Sequence, residues 1–391
     1  MKNNKEQKIK LVTVFLGIYL LIIPLNAFTI SSFSIVRFFV IIPAFLSLLY
    51  INKSRKKYRN SIIMLLICFI SACLIQIVYS PFSKIALSNS LQLLMYFSFV
   101  FLVTKLDYNE REKKYINTMF FLSSWFCLLL TLFFKYSFFN YRLTLKFPFG
   151  GIEDPNYYCG YFIPGIIKSI DSLLNCKRKI SIKNFVFLTS FVLMMFLCLL
   201  SGSRGGLLAI IVGIIACVFN IKEKVPLKKM IIITLRIVLI LFVLYFGYIY
   251  LSKYLNIGIL NRLSLETIRE TNGNGRYDIW NYLLNLYSNF SIPLKIFGYG
   301  IGSTYATIAA AHNMWITLLF ENGIYGLIII ALIFLNLFKI SFENDSKYYF
   351  IILISYLVLS LTLSIIFYKP LWSLIIAILI NEKIKGDEKI E

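Results

Sequence analysis

Apolar runs of about 20 residues recur from one end of this chain to the other, and they limit its fold more than any other feature. A helix rises ~1.5 Å per residue, so such a run crosses the ~30 Å hydrocarbon core of a membrane. Of the 391 residues, 59% are hydrophobic and only 15% are charged. Because a segment in lipid must satisfy its backbone hydrogen bonds internally, the sequence predicts an all-α, polytopic integral membrane protein. We expect residues 1–391 to form a single membrane domain.

Hydropathy predicts about 12 transmembrane helices. The sixth is the least apolar, because it contains Lys168 and Asp171, and the last is short. The first is long and lacks a small-residue cleavage site, so we do not expect a cleavable signal peptide. The approximate bounds are 10–29, 33–51, 61–79, 86–104, 115–134, 157–175, 185–201, 204–221, 230–251, 312–338, 348–366 and 369–382.

Basic residues predict the orientation. Lysines precede the first span, and clusters of Lys and Arg follow in alternate loops, which places those loops and both termini in the cytoplasm. The net charge of +22 is then a topology signal, with added attraction to anionic membrane lipids. We expect no nucleic-acid partner, because the charge is dispersed over short loops. The loop clusters are Lys53–Arg59, Arg111–Lys114, Lys177–Lys179 and Lys222–Lys229.

Two predicted external loops, 135–156 and 252–311, are too long to be simple connectors, since loops above ~15 residues are uncommon unless they are functional or disordered. The larger loop has Tyr277, Trp280 and Tyr287 at helical spacing. This spacing predicts short amphipathic helices at the membrane interface. A purely structural plug over the helix bundle is the alternative.

The sequence predicts neither a metal site nor a cofactor. Its seven cysteines lie mostly in apolar spans, where they act as small hydrophobic residues. With a single histidine, no paired cysteine spacing and no Asp-x-Asp pair, the usual ligand sets for zinc and for divalent cations are missing. A Gly-rich phosphate loop followed by lysine is also missing.

Arginines on the external side oppose the orientation bias and need a specific explanation. Arg204 stands at the amino end of a predicted span, after Ser203 and before two glycines. Free backbone N–H groups and the helix dipole favour an anion there, and a guanidinium binds phosphate oxygens in a bidentate manner. Arg142 and Arg276 also fall outside. Contact with lipid head groups is the alternative, and we expect it for Arg37 near the outer end of the second span.

His312 is the lone histidine, at the outer end of a span. It is the side chain best able to accept a proton at neutral pH, and nearby arginines would keep it neutral. A hydrogen-bonded structural role is the alternative. Glu321 lies nine residues deeper, about 13 Å along a helix, so it is not expected to reach His312. A carboxylate at that depth is usually paired or functional.

Three motifs in order resemble the O-antigen ligase/polymerase superfamily, the Wzy- and WaaL-type enzymes, over roughly residues 140–330. The first is Ser-Gly-Ser-Arg-Gly-Gly at 201–206, opening a span. The second is Arg276-Tyr277 with Trp280, followed by the Gly-rich run at 298–302. The third is His312-Asn313 with Glu321-x-Gly323. A fourth, weaker similarity to the superfamily is the turn of Asp154, Pro155 and Asn156.

The resemblance implies a glycosyltransferase on the external face of the bacterial cytoplasmic membrane, which takes a glycan from undecaprenyl diphosphate without metal. His312, Arg276 and Arg204 would be the catalytic residues. A chain-length regulator is a further candidate partner, besides the undecaprenyl-diphosphate-linked oligosaccharides. The substrate-binding candidates are Arg142, Asp154, Asn156, Ser203, Tyr277, Trp280, Asn313 and Glu321.

The full Ser-Gly-Ser-Arg-Gly-Gly motif and the Asn after His312 favour a polymerase of surface-polysaccharide repeat units, such as O-antigen, capsule or exopolysaccharide. A ligase that transfers glycan to lipid A-core is the first alternative. A lipid-linked glycan transporter or flippase is the second, for which Glu321-Asn322-Gly323 would suit a broken helix. A scaffold or regulator of envelope assembly without enzymatic activity is the third.

Overall fold

The computed structural model describes residues 8–30, 33–51, 60–133, 137–139, 142–147, 151–174, 181–219, 246, 249–250, 275–343 and 347–382. The predicted ninth span falls almost entirely outside these residues, as do parts of both predicted external loops. Within them the structure is dominated by helices, which confirms the all-α class.

The described helices are numbered here in chain order. The first nine are α1 (Leu11–Leu21), α2 (Ile35–Tyr50), α3 (Asn60–Tyr79), α4 (Ser83–Thr104), α5 (Glu110–Phe133), α6 (Pro155–Gly160), α7 (Ile163–Leu174), α8 (Ile182–Leu200) and α9 (Arg204–Phe219). The remainder are α10 (Arg276–Ser288), α11 (Ile292–Phe297), α12 (Ser303–Thr307), α13 (Met314–Glu343), α14 (Lys347–Ser360) and α15 (Lys369–Ile380).

Two short antiparallel hairpins accompany the helices. In the first, β1 (Thr29–Ile30) pairs with β2 (Phe33–Ser34). In the second, β3 (Ser137–Phe139) pairs with β4 (Arg142–Thr144), so that Phe139 lies opposite Arg142. The second hairpin belongs to the smaller predicted external loop and gives Arg142 a fixed backbone.

Several helices have the length and composition of membrane spans. Five are long and apolar enough to cross a bilayer, and five further apolar helices of the described chain are shorter. The chain is therefore a multi-pass membrane protein, while the number of twelve spans stays a prediction. The five long segments are Ser61–Tyr79, Ser83–Thr104, Glu110–Phe133, Ile182–Leu200 and Met314–Glu343.

The sixth predicted span is not one continuous helix. It is divided into α6 and α7, of 6 and 12 residues, with a turn at Tyr161 and Phe162. Pro164 explains the break, because proline has no N–H to donate and its ring collides with the carbonyl four residues earlier, at Gly160. The break puts the short helix α6 and its amino-terminal turn beside the candidate site.

Close packing of α9 positions the first motif. Its main neighbours are α14 and α7. A Cβ at Gly213 would collide with the Ser355 hydroxyl, and one at Gly206 would lie 2.6 Å from the Cys159 sulfur. Small residues of this kind let membrane helices approach closely. The amino end of α9 is thereby held against α6 and against the segment that follows α14.

Helix α13 is broken at Gly323, whose φ of 64° and ψ of −168° are not helical. The Gly-rich segment before α12 packs into the break: Tyr299 and Gly300 donate their N–H groups to the carbonyls of Phe320 and Glu321, each at 3.0 Å. At Gly298, which has φ 84°, a Cβ would collide with the Glu321 backbone. Glycine is therefore required where the two segments touch.

Candidate functional site

Three arginines line a single pocket, and they come from three separate parts of the sequence. Arg142 lies in the β3–β4 hairpin, Arg204 begins α9 and Arg276 begins α10. The pocket also includes Thr362, from the segment after α14. Its full lining is Arg142, Asn156, Gly202, Arg204, Gly205, Arg276 and Thr362. Two of the three motifs and the Asp-Pro-Asn turn thus meet at one place.

Arg142 is buried, with 8% of its surface exposed, and its guanidinium is firmly held. Its Nε donates to the carbonyl of Ser201 at 2.7 Å, and its Nη2 donates to Oδ1 of Asn156 at 2.7 Å. Asp154 in turn caps α6, because its Oδ1 accepts the N–H of Asn156 at 2.7 Å. The turn predicted from sequence therefore connects the β3–β4 hairpin to the first motif.

The first motif forms the start of α9. The buried Ser203 hydroxyl accepts the N–H of Gly206 at 3.2 Å and so caps the helix. Arg204 follows, with its side chain lining the pocket. Gly205 packs directly on Thr362, where a Cβ would overlap the threonine side chain. Ser203 thus serves the helix end, and its role as a substrate ligand remains a prediction.

The second motif brings Arg276 to the same threonine. Gly275 has φ 74°, a left-handed conformation that turns the chain into α10. The Arg276 Nη1 then donates to the carbonyl of Thr362 at 3.3 Å. Thr362 therefore contacts the starts of both α9 and α10 and links the two arginine motifs.

His312 stands immediately before α13 with φ 49°, the one non-glycine positive φ in the described part of the chain. Its neighbours hold it there. The Trp280 indole N–H donates to the carbonyl of Ala311 at 2.7 Å, and Oδ1 of Asn313 accepts the N–H groups of Trp315 and Ile316. Asn313 thereby caps α13.

Electrostatics join His312 to the arginine pocket. Burial lowers the pKa of His312 below its usual 6.5, Arg276 and Arg142 lower it further, and Asp154 acts in the opposite direction. The imidazole is consequently neutral at pH 7, with a nitrogen lone pair that can accept a proton.

Other predicted residues lie outside the pocket. Tyr277 is 53% exposed and packs edge-on against Trp280, with ring centroids 5.4 Å apart. Glu321 is buried, and its carboxylate accepts the N–H groups of Gly302 at 2.8 Å and Thr304 at 3.1 Å. The expectation that Glu321 does not stack on His312 agrees with these contacts. The Glu321 carboxylate therefore holds the end of the Gly-rich segment and the start of α12 through their backbone amides.

Sequence reasoning missed Thr362 and Gln76. Gln76 is 1% exposed in α3. It donates to the carbonyls of Phe297 and Glu321, at 2.7 and 3.0 Å, and accepts the N–H of Ile301 at 2.9 Å. The sequence did contain a signal for Gln76, because a polar side chain within an apolar span is costly and usually functional. Thr362 acts through its backbone carbonyl and close packing, which no residue pattern shows.

The apolar helices define a multi-pass membrane protein, and His312 lies in the electrostatic field of a pocket lined by three arginines. Residues 189–331 match a family model described as O-Antigen ligase. This match confirms, over that segment, the resemblance to the O-antigen ligase/polymerase superfamily that the motifs predict; members of that superfamily are glycosyltransferase-like and act on lipid-linked glycans. The matched segment contains Arg204, Arg276 and His312. A search of curated proteins found no match.

Proposed function

We propose that this protein transfers a glycan from a polyprenyl-diphosphate donor to a hydroxyl of a second lipid-linked glycan, and so polymerises repeat units of a surface polysaccharide. We place the reaction on the external face of the bacterial cytoplasmic membrane, with undecaprenyl diphosphate as the donor lipid. The observation that carries the proposal is the shared pocket of Arg142, Arg204 and Arg276.

In this proposal the pocket holds the donor diphosphate. When the bond between the anomeric carbon and the diphosphate oxygen breaks, the bonding electrons stay on that oxygen and the leaving group gains negative charge. Fixed positive groups aimed at developing charge give the largest stabilisation of such a transition state. Arg204 and Arg276 supply this charge directly, and three guanidinium groups in one pocket allow the reaction to proceed without a metal ion.

His312 acts as the base. The acceptor hydroxyl oxygen attacks the anomeric carbon from the side opposite the diphosphate, and its proton passes to the neutral imidazole. The new glycosidic bond forms as the diphosphate bond breaks, so the configuration at carbon inverts. The lowered pKa of His312 keeps the ring available for this step. Asp154 favours the protonated ring that results.

Transfer to lipid A-core is the second candidate, because the matching family model is described as O-Antigen ligase. Ligase and polymerase share the donor and differ in the acceptor. Polymerase is proposed because of the complete Ser-Gly-Ser-Arg-Gly-Gly motif at 201–206 and the Asn that follows His312.

The test is an in vitro assay of the purified protein with undecaprenyl-diphosphate repeat units in EDTA, read as a ladder on a gel. His312→Ala and Arg204→Ala proteins are assayed beside the parent, after their folding has been checked by size exclusion. A ladder from the parent that both variants lose supports the proposal. Transfer only when lipid A-core is supplied would make the protein a ligase. If neither acceptor is used, the proposal fails and transport becomes the leading alternative.

A further inference from the structure

A second group of positive charges lies close to the first site and takes no part in the transfer as proposed. Helix α2 begins just after Ser34, and helix α15 begins at Lys369. The two amino ends meet, because the Lys369 Nζ donates to the Ser34 hydroxyl at 3.4 Å. Each helix amino end carries a partial positive charge. Two such ends and a lysine ammonium are therefore gathered at one place.

Arg37 adds a second full charge. It lies three residues after Ser34, one turn along α2, so both side chains lie on the same side of that helix. Its Nε is buried and has no hydrogen-bond partner. The Lys369 and Arg37 charges interact electrostatically, as like charges brought close together. Like charges repel, and the arrangement is therefore unfavourable unless an anion joins it.

The hydrogen-bonding capacity of this cluster is largely unused. Lys369 is 3% exposed, and its ammonium has three N–H donors, of which one contacts Ser34. Among the described residues it makes no ion pair within 4 Å. Neither helix end has a side-chain cap. At the helix starts the N–H groups of Ile35 and Leu371 are already bonded, to the carbonyls of Phe28 and Tyr368. Buried cations without partners are costly, and an oxyanion would accept hydrogen bonds from the Lys369 ammonium and the Arg37 Nε together.

Glu153 offsets this charge only in part. It interacts electrostatically with Lys369, but its Oε2 accepts a hydrogen bond from the Tyr161 hydroxyl at 2.9 Å. One carboxylate therefore opposes two cations. Glu153 also adjoins Asp154, whose charge acts on His312. Two consecutive residues, Glu153 and Asp154, thus interact with the second cluster and with His312, respectively.

We propose that Lys369, Arg37 and the amino ends of α2 and α15 bind a phosphoryl group, that of the acceptor lipid diphosphate. This assignment rests on the proposed function, because a polymerase must hold two polyprenyl diphosphates at once. Arg37 is only partly buried, so a ligand reaches the cluster from its side. The head group of an anionic phospholipid has the same phosphoryl chemistry and is the competing source.

The test counts bound farnesyl diphosphate, a short polyprenyl diphosphate, on the purified full-length protein by native mass spectrometry and titration. We expect two equivalents on the parent. Lys369→Gln and Arg37→Gln should each raise the dissociation constant of one of the two bound equivalents by about tenfold or more, since charge-assisted hydrogen bonds to phosphate are strong. Lys369→Arg should retain both. The matched control is Lys168→Gln, which removes a cation of α7 that packs on the rings of Phe121 in α5 and Tyr348 in α14.

Three outcomes would overturn the acceptor assignment. They are a single equivalent on the parent, two unchanged equivalents on folded Lys369→Gln, and displacement of the second equivalent by phosphatidylglycerol in mixed micelles. Displacement would assign the cluster to a lipid head group. Binding does not depend on turnover, so two equivalents on a protein that forms no ladder would overturn only the proposed transfer.

Discussion

His312 combines a strained backbone with a perturbed side chain. A left-handed conformation costs a non-glycine residue about 1–2 kcal/mol, and such strain persists only where the surroundings impose it. Here the Trp280 hydrogen bond to Ala311 and the Asn313 cap fix the residues on either side. Trp280 was predicted to bind substrate, and its indole N–H is used to position the segment that holds His312. The ring face remains a candidate for sugar contact.

The first prediction concerns pH. Activity that needs neutral His312 is present above the pKa of that residue and is lost as the pH falls through it. Because burial, Arg276 and Arg142 lower this pKa, kcat/KM of the parent should persist below pH ~6.5. Arg276→Gln removes one of these causes, so the pH at which kcat/KM falls on the acid side should move up towards ~6.5. The same variant should also bind the diphosphate less tightly.

The measurement is kcat/KM between about pH 5 and 8 for the parent and the variant. Lys295→Gln is the matched control, since it removes a cation from α11, between Arg276 and His312 in the chain. We expect it to leave the acid limb unchanged. An identical acid limb in the parent and in Arg276→Gln would show that His312 does not control the profile.

The second prediction concerns Gly205, which tests the contact between the two arginine motifs. Its Cβ would overlap Thr362, whose carbonyl accepts from Arg276. Gly205→Ala should destabilise the folded protein by about 1–3 kcal/mol, as overpacking does, and should weaken donor binding. Thermal unfolding and donor affinity measure the two effects. Gly151→Ala is the control, because its Cβ would find an ordinary contact at 3.4 Å from the Ala27 carbonyl. Equal effects of the two changes would argue against the contact.

Among the helices, the break in α13 has a consequence for the site. Glu321 and Gln76 both hold the Gly-rich segment that leads through α12 to His312. A broken helix was the feature that would have suited a transporter. In this structure the carboxylate at the break accepts two backbone N–H groups, which is a positioning role. These hydrogen bonds link α3, a span without any motif, to the segment that leads to His312.

The third prediction follows from that network. Glu321→Ala leaves the buried N–H of Thr304 and the partly buried N–H of Gly302 without an acceptor. A buried donor without an acceptor costs about 1–3 kcal/mol, so the Gly-rich segment should shift and kcat should fall at least tenfold. Gln76→Ala should also lower kcat. Since both residues hold one segment, their effects on kcat should be non-additive by about 0.5–3 kcal/mol in a double-mutant cycle.

The control for that cycle is Glu112→Ala, which removes another buried carboxylate. The Glu112 carboxylate accepts hydrogen bonds from the Lys10 backbone N–H and the Thr13 hydroxyl. It should lower thermal stability and leave kcat per folded molecule unchanged. Strict additivity of Glu321→Ala and Gln76→Ala would contradict the shared positioning role.

The sequence predicted the all-α class and a multi-pass membrane protein, because hydropathy is a local signal. It did not predict the division at Pro164, although proline gives a direct physical reason for it. The contacts of Gln76 and Thr362 depend on which helices become neighbours. Tertiary packing sets that choice, and a single sequence has no pattern that reports it.

For the molecule as a whole, sidedness decides whether the pocket can meet an exported lipid-linked glycan. Basic loops predict that the start of α5 is cytoplasmic and that the segment holding His312 is external. The packed helices fix these two regions relative to the bundle. Every described cysteine except the partly buried Cys68 is buried, so the native thiols give little background for a labelling experiment.

The last prediction tests this orientation. Cysteine is introduced at Glu110, whose side chain is 88% exposed, or at Tyr305, which is 77% exposed, after Cys68 and Cys176 have been changed to Ser. On intact cells, or on spheroplasts if an outer membrane is present, a membrane-impermeant maleimide should label Tyr305→Cys and spare Glu110→Cys. Permeabilised cells should label both, which controls for accessibility. The opposite pattern would put the arginine pocket on the cytoplasmic side, where an exported donor is absent, and would contradict the proposed reaction.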